Sequence, residues 1–179
     1  MPQQQDAMSL LNALPPQRAR AELLRCCTCN RWADEVLRHM PFSSESQARN
    51  TLDACWAAMG PQEWLEAFSA HPRIGAGGGD HKKPSGWEAE EQKGAATAGQ
   101  QVLQGLREWN RKYDDKFGFV FLICATGKSA DEMLAALRAR YHHHASTEMA
   151  VAAEEHRKIT QIRFTKLLAG LQDGQVSRL

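Results

Sequence analysis

The sequence predicts an all-α protein, a single compact domain (residues 1–179) of several helices with one irregular apolar segment over residues 117–127. Three observations carry that reading. Apolar residues recur at helical spacing through most of the chain, helix-start signals stand just ahead of those runs, and strand signals are nearly absent. The chain has 179 residues, 42% of them hydrophobic and 24% charged, which is the size and apolar content of one core rather than of a disordered or fibrous protein. The first few polar residues and the tail after about residue 172 are expected to be flexible.

Taken in order, "LPPQRARAELLRCC" puts prolines where a first helical turn tolerates them, and "NRWADEVLRHM" repeats apolar residues from Trp32 through Val36 and Leu37 to Met40. Ser44 with Gln47 fits a capping box ahead of "TLDACWAAM", and Gly60-Pro61 opens "GPQEWLEAFSA" with Pro at the first helical position. Ser85 with Glu88 fits another box, which would open a long helix from about Trp87 to Asn110. Ser129 with Glu132 opens "ADEMLAALRARYHHH", and a last helix runs from about Thr147 to Leu171 before Asp173-Gly174 stops it. The exception is "FGFVFLICATG", Phe117 to Gly127, aromatic, branched and bounded by glycines. It is either a buried extended segment or a short core helix.

Composition excludes several functions. Lys and Arg number 22 against 21 Asp and Glu, so no bulk basic field exists to hold nucleic acid or an anionic membrane surface. No apolar run approaches the length of a membrane span, and "MPQQQDAM" lacks a secretory profile. The five cysteines, Cys26, Cys27, Cys29, Cys55 and Cys124, are odd in number and crowded at "RCCTCN", which suits helical thiols in a reducing compartment better than disulfides or a metal half-site. "YHHHA" points adjacent imidazoles apart on a helix and reads as a solvated helix end. "GAGGG" and the Gly127-Lys128-Ser129 stretch lack the context of a phosphate loop.

Polar groups on apolar faces mark the candidate site. The face Ala95, Ala98, Val102, Leu106, Trp109 begins one turn earlier at Glu91, and the last helix carries His156 and Arg163 on the stripe Met149, Ala152, Ile159, Leu167, Leu171. A guanidinium on such a stripe needs an anionic partner or a wet cavity. Glu91 and Arg163 therefore form a structural ion pair or line a polar pocket. His71 follows a helix end and precedes Pro72, which disfavours helical geometry and turns the chain outward. Such a histidine either caps the negative helix end or serves as an acid/base near neutral pH. The glycine-rich loop "DHKKPSG" is placed to cover a pocket beside it.

"HPRIG" (His71 to Gly75), "EEQKGA" (Glu90 to Ala95), "FGFVFLICATGKS" (Phe117 to Ser129) and "EEHRKITQIRFTKL" (Glu154 to Leu167) resemble, in order and spacing, the OHCU decarboxylases. Those enzymes convert 2-oxo-4-hydroxy-4-carboxy-5-ureidoimidazoline to (S)-allantoin in urate oxidation. The resemblance covers most of the chain and implies an all-helical, cofactor-free and metal-free carboxy-lyase, typically a homodimer, whose partner is the small ureidoimidazoline substrate. Position by position it makes His71 the acid/base, with Pro72 shaping its turn, and Glu91 with Gln92 the acidic-amide pair that meets substrate. It makes Arg163 the anion-binding arginine and Phe121, Leu122, Ile123, Cys124 and Ala125 the segment lining the pocket with backbone groups. Many members carry Ser three residues before the glutamate where this chain has Glu88, which either replaces that serine at the substrate or faces away.

Two other classes fit the residues. One is a non-catalytic helical binding module in which Glu91 and Arg163 pair structurally. The other is a metal-dependent hydrolase using His71, His81 and His142 to His144, which a chelator would abolish. The expected compartment is the cytoplasm; the terminal Ser177-Arg178-Leu179 resembles a peroxisomal signal and makes the peroxisome the alternative.

Overall fold

The caps and periodicities of the sequence set most of the helices. The computed structural model describes residues 6–75, 86–93 and 99–174. Nine helices and no strand occur among them: α1 (Ala7–Asn12), α2 (Pro16–Cys26), α3 (Asn30–Leu37), α4 (Glu45–Ala57), α5 (Pro61–Ser69), α6 (Trp87–Glu91), α7 (Gln100–Phe117), α8 (Ala130–Arg140) and α9 (Ala145–Gln172). The terminal segments expected to be flexible, most of the glycine-rich loop with His81, the Ser85 cap, Ala95, Ala98 and the Ser177-Arg178-Leu179 end lie outside the described residues.

Pro16 and Pro61 stand at first helical positions, as their missing N–H allows. Ser44 accepts from the Gln47 N–H, but the Gln47 amide answers the Ser43 N–H at 2.6 Å, so the box closes one residue early. The Ser129–Glu132 box is complete. One expectation fails. The long helix expected from Trp87 to Asn110 is not continuous: α6 ends at Glu91, Gly99 is extended (φ −62°, ψ 154°), and α7 starts after it and runs on to Phe117. Gly86 caps α6, which places Glu88 at the second position of the helix.

The chain divides into two compact units, Met1–Ala67 with Arg157–Leu179, and Phe68–His156. In the first, α2 packs on α3 and α3 on α4. Trp32 is fully buried, its indole N–H donating to the Leu52 carbonyl at 3.1 Å. Arg49 on α4 donates to the Gln161 side chain at 2.9 Å, and Gln161 returns a bond to Asp53 at 2.7 Å, which also pairs with Arg157 at 2.7 Å. These bonds fasten α4 to the second half of α9. The helix α1, whose N-cap Asp6 makes no side-chain bond, is held by a reciprocal pair: Asn12 donates to the Phe42 carbonyl at 2.8 Å and accepts from its N–H at 2.9 Å.

The cysteine cluster corrects a second expectation. Only Cys26 is helical; Cys27 and Cys29 are extended residues flanking Thr28 in the α2–α3 turn, yet all three are fully buried and free. Burial pushes the Cys26 thiol up to about 12, against the pull of Arg163 and Arg25. Burial also raises Cys27, with neighbouring Cys29 adding to it. A thiol whose folded pKa is raised contributes stability that is complete below its ordinary 9.0 and lost as pH climbs through the folded value. The urea midpoint is therefore expected to fall between pH 8 and about pH 11, and to fall less in Cys26→Ala. An equal fall in both proteins would assign it to other groups.

In the second unit α7 packs on α8 so closely that a Cβ on Gly105 would stand 2.9 Å from Leu134 Cδ2. The segment between them settles the choice left open for residues 117–127. It is extended, with Phe119, Phe121, Leu122, Ile123 and Ala125 buried, and Gly118 (φ 76°) and Gly127 (φ 79°) in the left-handed region at its ends.

Candidate functional site

His71 lies two residues past the end of α5, its N–H donating to the Phe68 carbonyl at 3.0 Å. Two interactions with α7 brace the turn that follows, and Asn110 also bonds within α7 itself. Arg73 Nε donates to Asp114 at 2.6 Å, and Asn110 Nδ2 donates to the Ile74 carbonyl at 3.1 Å and to Leu106 at 2.8 Å. Gly75 adopts φ 73°, and a Cβ there would meet Leu106 Cδ1 at 3.3 Å, so glycine suits both the backbone and the space. Asn110 is 1% exposed, and replacing it with Ala would strand the buried Ile74 carbonyl. Asn110→Ala is expected to cost about 1–3 kcal/mol in urea unfolding, because the histidine-bearing turn loses its tie to α7. Unchanged stability would mean that the turn is held without it.

The short helix α6 docks on the same turn. Gln92 Nε2 donates to the Pro72 carbonyl at 3.4 Å, Glu91 is buried at 9% exposure, and Glu88 is half-buried in the helix's first turn. The buried segment Phe121–Ala125 stands near Glu91. The Cys124 thiol is pushed above its ordinary range, first by burial and then by Glu155, with Glu91 adding a smaller push. Cys124 N–H donates to Glu155 at 2.7 Å, and the Leu122 carbonyl accepts from Arg140 at 2.6 Å. The expectation that residues 121–125 meet a ligand through their backbone is thereby narrowed, because these two groups already have partners in the protein.

Arg140 belongs to a buried network that the sequence reading missed. Its guanidinium, lying 4.5 Å over the Phe121 ring, donates to Glu148 Oε1 at 2.8 and 2.5 Å, and the Tyr113 hydroxyl donates to the same oxygen. Burial, then Glu148, hold the Tyr113 phenol protonated. His143 Nδ1 reaches Glu148 Oε2 at 2.8 Å, so the middle imidazole of "YHHHA" is tied inward while His142 and His144 are exposed. Glu155 and His156 on α9 are further neighbours; the His156 ring stands edge-on to His71 at 5.1 Å.

The second unit thus brings together His71, Pro72, Glu91, Gln92 and Phe121–Ala125. Arg163 belongs to the first unit, where it is 4% exposed and its charge pulls the Cys26 and Cys27 thiols downward. Among the described residues no group of three His, Cys, Asp or Glu forms a metal-ligand set, and no helix is long and apolar enough to cross a membrane.

The class so defined is an all-α protein presenting a histidine on a braced turn, with a buried glutamate on the helix docked against it. The sequence profile of the family described as OHCU decarboxylase matches residues 12–165, and the chain belongs to that family. It is 37% identical over 149 residues to the uric acid degradation bifunctional protein TTL of Arabidopsis thaliana, covering 80% of this chain and 45% of that one. The 2-oxo-4-hydroxy-4-carboxy-5-ureidoimidazoline decarboxylase of Haloferax volcanii is 25% identical over 138 residues, covering 75% and 80%. The chain spans less than half the length of the bifunctional relatives, 45%, 29% and 28% of them. A crystal structure of OHCU decarboxylase in the presence of (S)-allantoin superposes with a TM-score of 0.73 at 38% identity, covering 83% of this chain and 97% of that one. The crystal structure of (S)-allantoin synthase, at 20% identity and a TM-score of 0.67, shares the fold.

Proposed function

We propose that this chain decarboxylates 2-oxo-4-hydroxy-4-carboxy-5-ureidoimidazoline to (S)-allantoin without metal or organic cofactor. Family membership supports the reaction. The observation that carries the site is the His71 turn, braced by Asn110 and Asp114 and contacted by the helix that carries Glu91 and Gln92. The chemistry asks little more of a protein. As the bond from C4 to the carboxylate breaks and CO2 leaves, its electron pair forms a C4=C5 double bond, and the ring C=N pair passes to nitrogen, which takes a proton. The 4-hydroxyl proton then departs and C5 is protonated on one face, which gives the carbonyl and the (S) centre.

His71, oriented by Glu91, is the group proposed to take or relay the hydroxyl proton. Gln92 and backbone groups of Phe121–Ala125 hold ring and ureido polar atoms, and Arg163 neutralises an anionic group of the substrate. Arg163's part rests on the family correspondence. Glu88, half-buried in α6, takes the place of the serine found in many members. The chain acts as a homodimer in the cytoplasm, where its five free cysteines remain reduced; sedimentation and imaging of a tagged chain test those two points.

The activity is tested by generating the substrate from urate with uricase and hydroxyisourate hydrolase and following circular dichroism with chelator present. Prompt growth of the (S)-allantoin signal only when the chain is added is expected. Growth no faster than spontaneous decay would replace this reading with the binding module, and loss of activity to chelator alone would favour a metal hydrolase.

A further inference from the structure

Four rings stand in a row through the second unit. Phe119, at the start of the buried extended segment, packs 5.5 Å from Phe68 at the end of α5. Phe68 packs 5.9 Å from His156 on α9, and His156 meets His71 at 5.1 Å with the planes 83° apart. Phe119 is 8% exposed and Phe68 and His156 are 0% exposed, whereas His71 is half-buried at the outer end of the row. Each inner ring belongs to a different element, so the last ring surface His71 meets is fixed by packing rather than by its own loop.

We propose that His156 is a positioning residue for His71, fixing the plane of its imidazole through the edge-to-face contact, backed by Phe68 and Phe119. Edge-to-face is one of the two arrangements ring pairs prefer, so the contact favours the His71 plane that stands across the His156 ring. A ring free to rotate about χ2 would spend only part of its time presenting the right nitrogen to a hydroxyl proton, and proton transfer depends on that geometry. The brace on the backbone from Asn110 and Asp114 fixes where His71 starts; the His156 ring fixes how its side chain ends. The inference rests on the reading of His71 as the acid/base.

The test compares His156→Phe, which keeps a planar ring against His71, with His156→Leu, which keeps apolar volume and removes the ring. His156→Leu is expected to lose about tenfold in kcat with KM little changed, as a misplaced catalytic group does, and His156→Phe to recover most of that loss. An activity-free readout runs beside it: in the full chain, the imidazole nitrogen shifts and tautomer ratio of His71, assigned by its disappearance in His71→Gln, should change in His156→Leu and return towards wild type in His156→Phe. Far-ultraviolet dichroism shows whether each variant is folded at the assay temperature. Wild-type kcat and His71 shifts in a folded His156→Leu overturn the proposal, as does a His156→Phe variant no better than His156→Leu in both readouts. If the wild type shows no decarboxylation while the His71 shifts respond as stated, the functional reading falls and the positioning contact stands.

Discussion

His71→Ala is expected to lower kcat by about 10²–10⁴-fold while leaving the fold intact, because a positioned acid/base typically contributes that much. The separation of activity from stability follows from how the turn is built. Its anchors are the Arg73–Asp114 pair, the Asn110 bonds and Gly75 over Leu106. None of them uses the imidazole. Among the contacts the variant loses is the one with the His156 ring, worth about 0.5–1.5 kcal/mol, small against the stability of a domain. Urea unfolding of the variant should therefore stay close to wild type while turnover collapses. His71→Gln adds a control that keeps volume and a hydrogen-bonding head but cannot exchange protons near neutral pH, and it should be as inactive as alanine. Activity of His71→Ala within twofold of wild type would remove His71 from the chemistry.

The helices were legible where two independent signals coincide. Pro16, Pro61, Ser44 and Ser129 each mark a start that the apolar periodicity then continues. α1 has six residues and an Asp6 cap that makes no side-chain bond, too little for either signal. The break at Gly99 was illegible because one glycine inside a periodic pattern costs only about 1 kcal/mol, so the pattern reads through it. His71 was legible because a His-Pro pair at a helix end is unusual chemistry at an unusual place. Asn110 was not, since an amide in a helix reads as surface until Ile74, 36 residues away, is seen to need its donor. The same holds for Glu155, whose partner is the backbone N–H of Cys124.

Glu148→Ala is expected to be the most destabilising substitution in the second unit, by about 3–5 kcal/mol, because it leaves the Arg140 guanidinium buried without its counter-charge. Glu148 is 0% exposed and Arg140 8% exposed, so water does not replace the lost carboxylate cheaply. The Tyr113 hydroxyl and His143 lose their acceptor in the same step. The consequence reaches the candidate site, since the guanidinium that Glu148 orients also donates to the Leu122 carbonyl and lies over Phe121. A variant that remains folded in the cold should therefore show weakened substrate binding as well. Arg140→Met with Glu148→Leu separates charge from shape: both ions are removed, apolar volume is kept, and buried pairs so replaced often cost little. The double variant is expected to regain a large part of the stability lost in Glu148→Ala but not the hold on Leu122, so its urea midpoint should recover while its KM stays raised. A double variant as unstable as the single one would mean that the Tyr113 and His143 bonds, rather than the ion pair, carry the network. Recovery of both stability and KM would mean that the extended segment keeps its shape by packing alone.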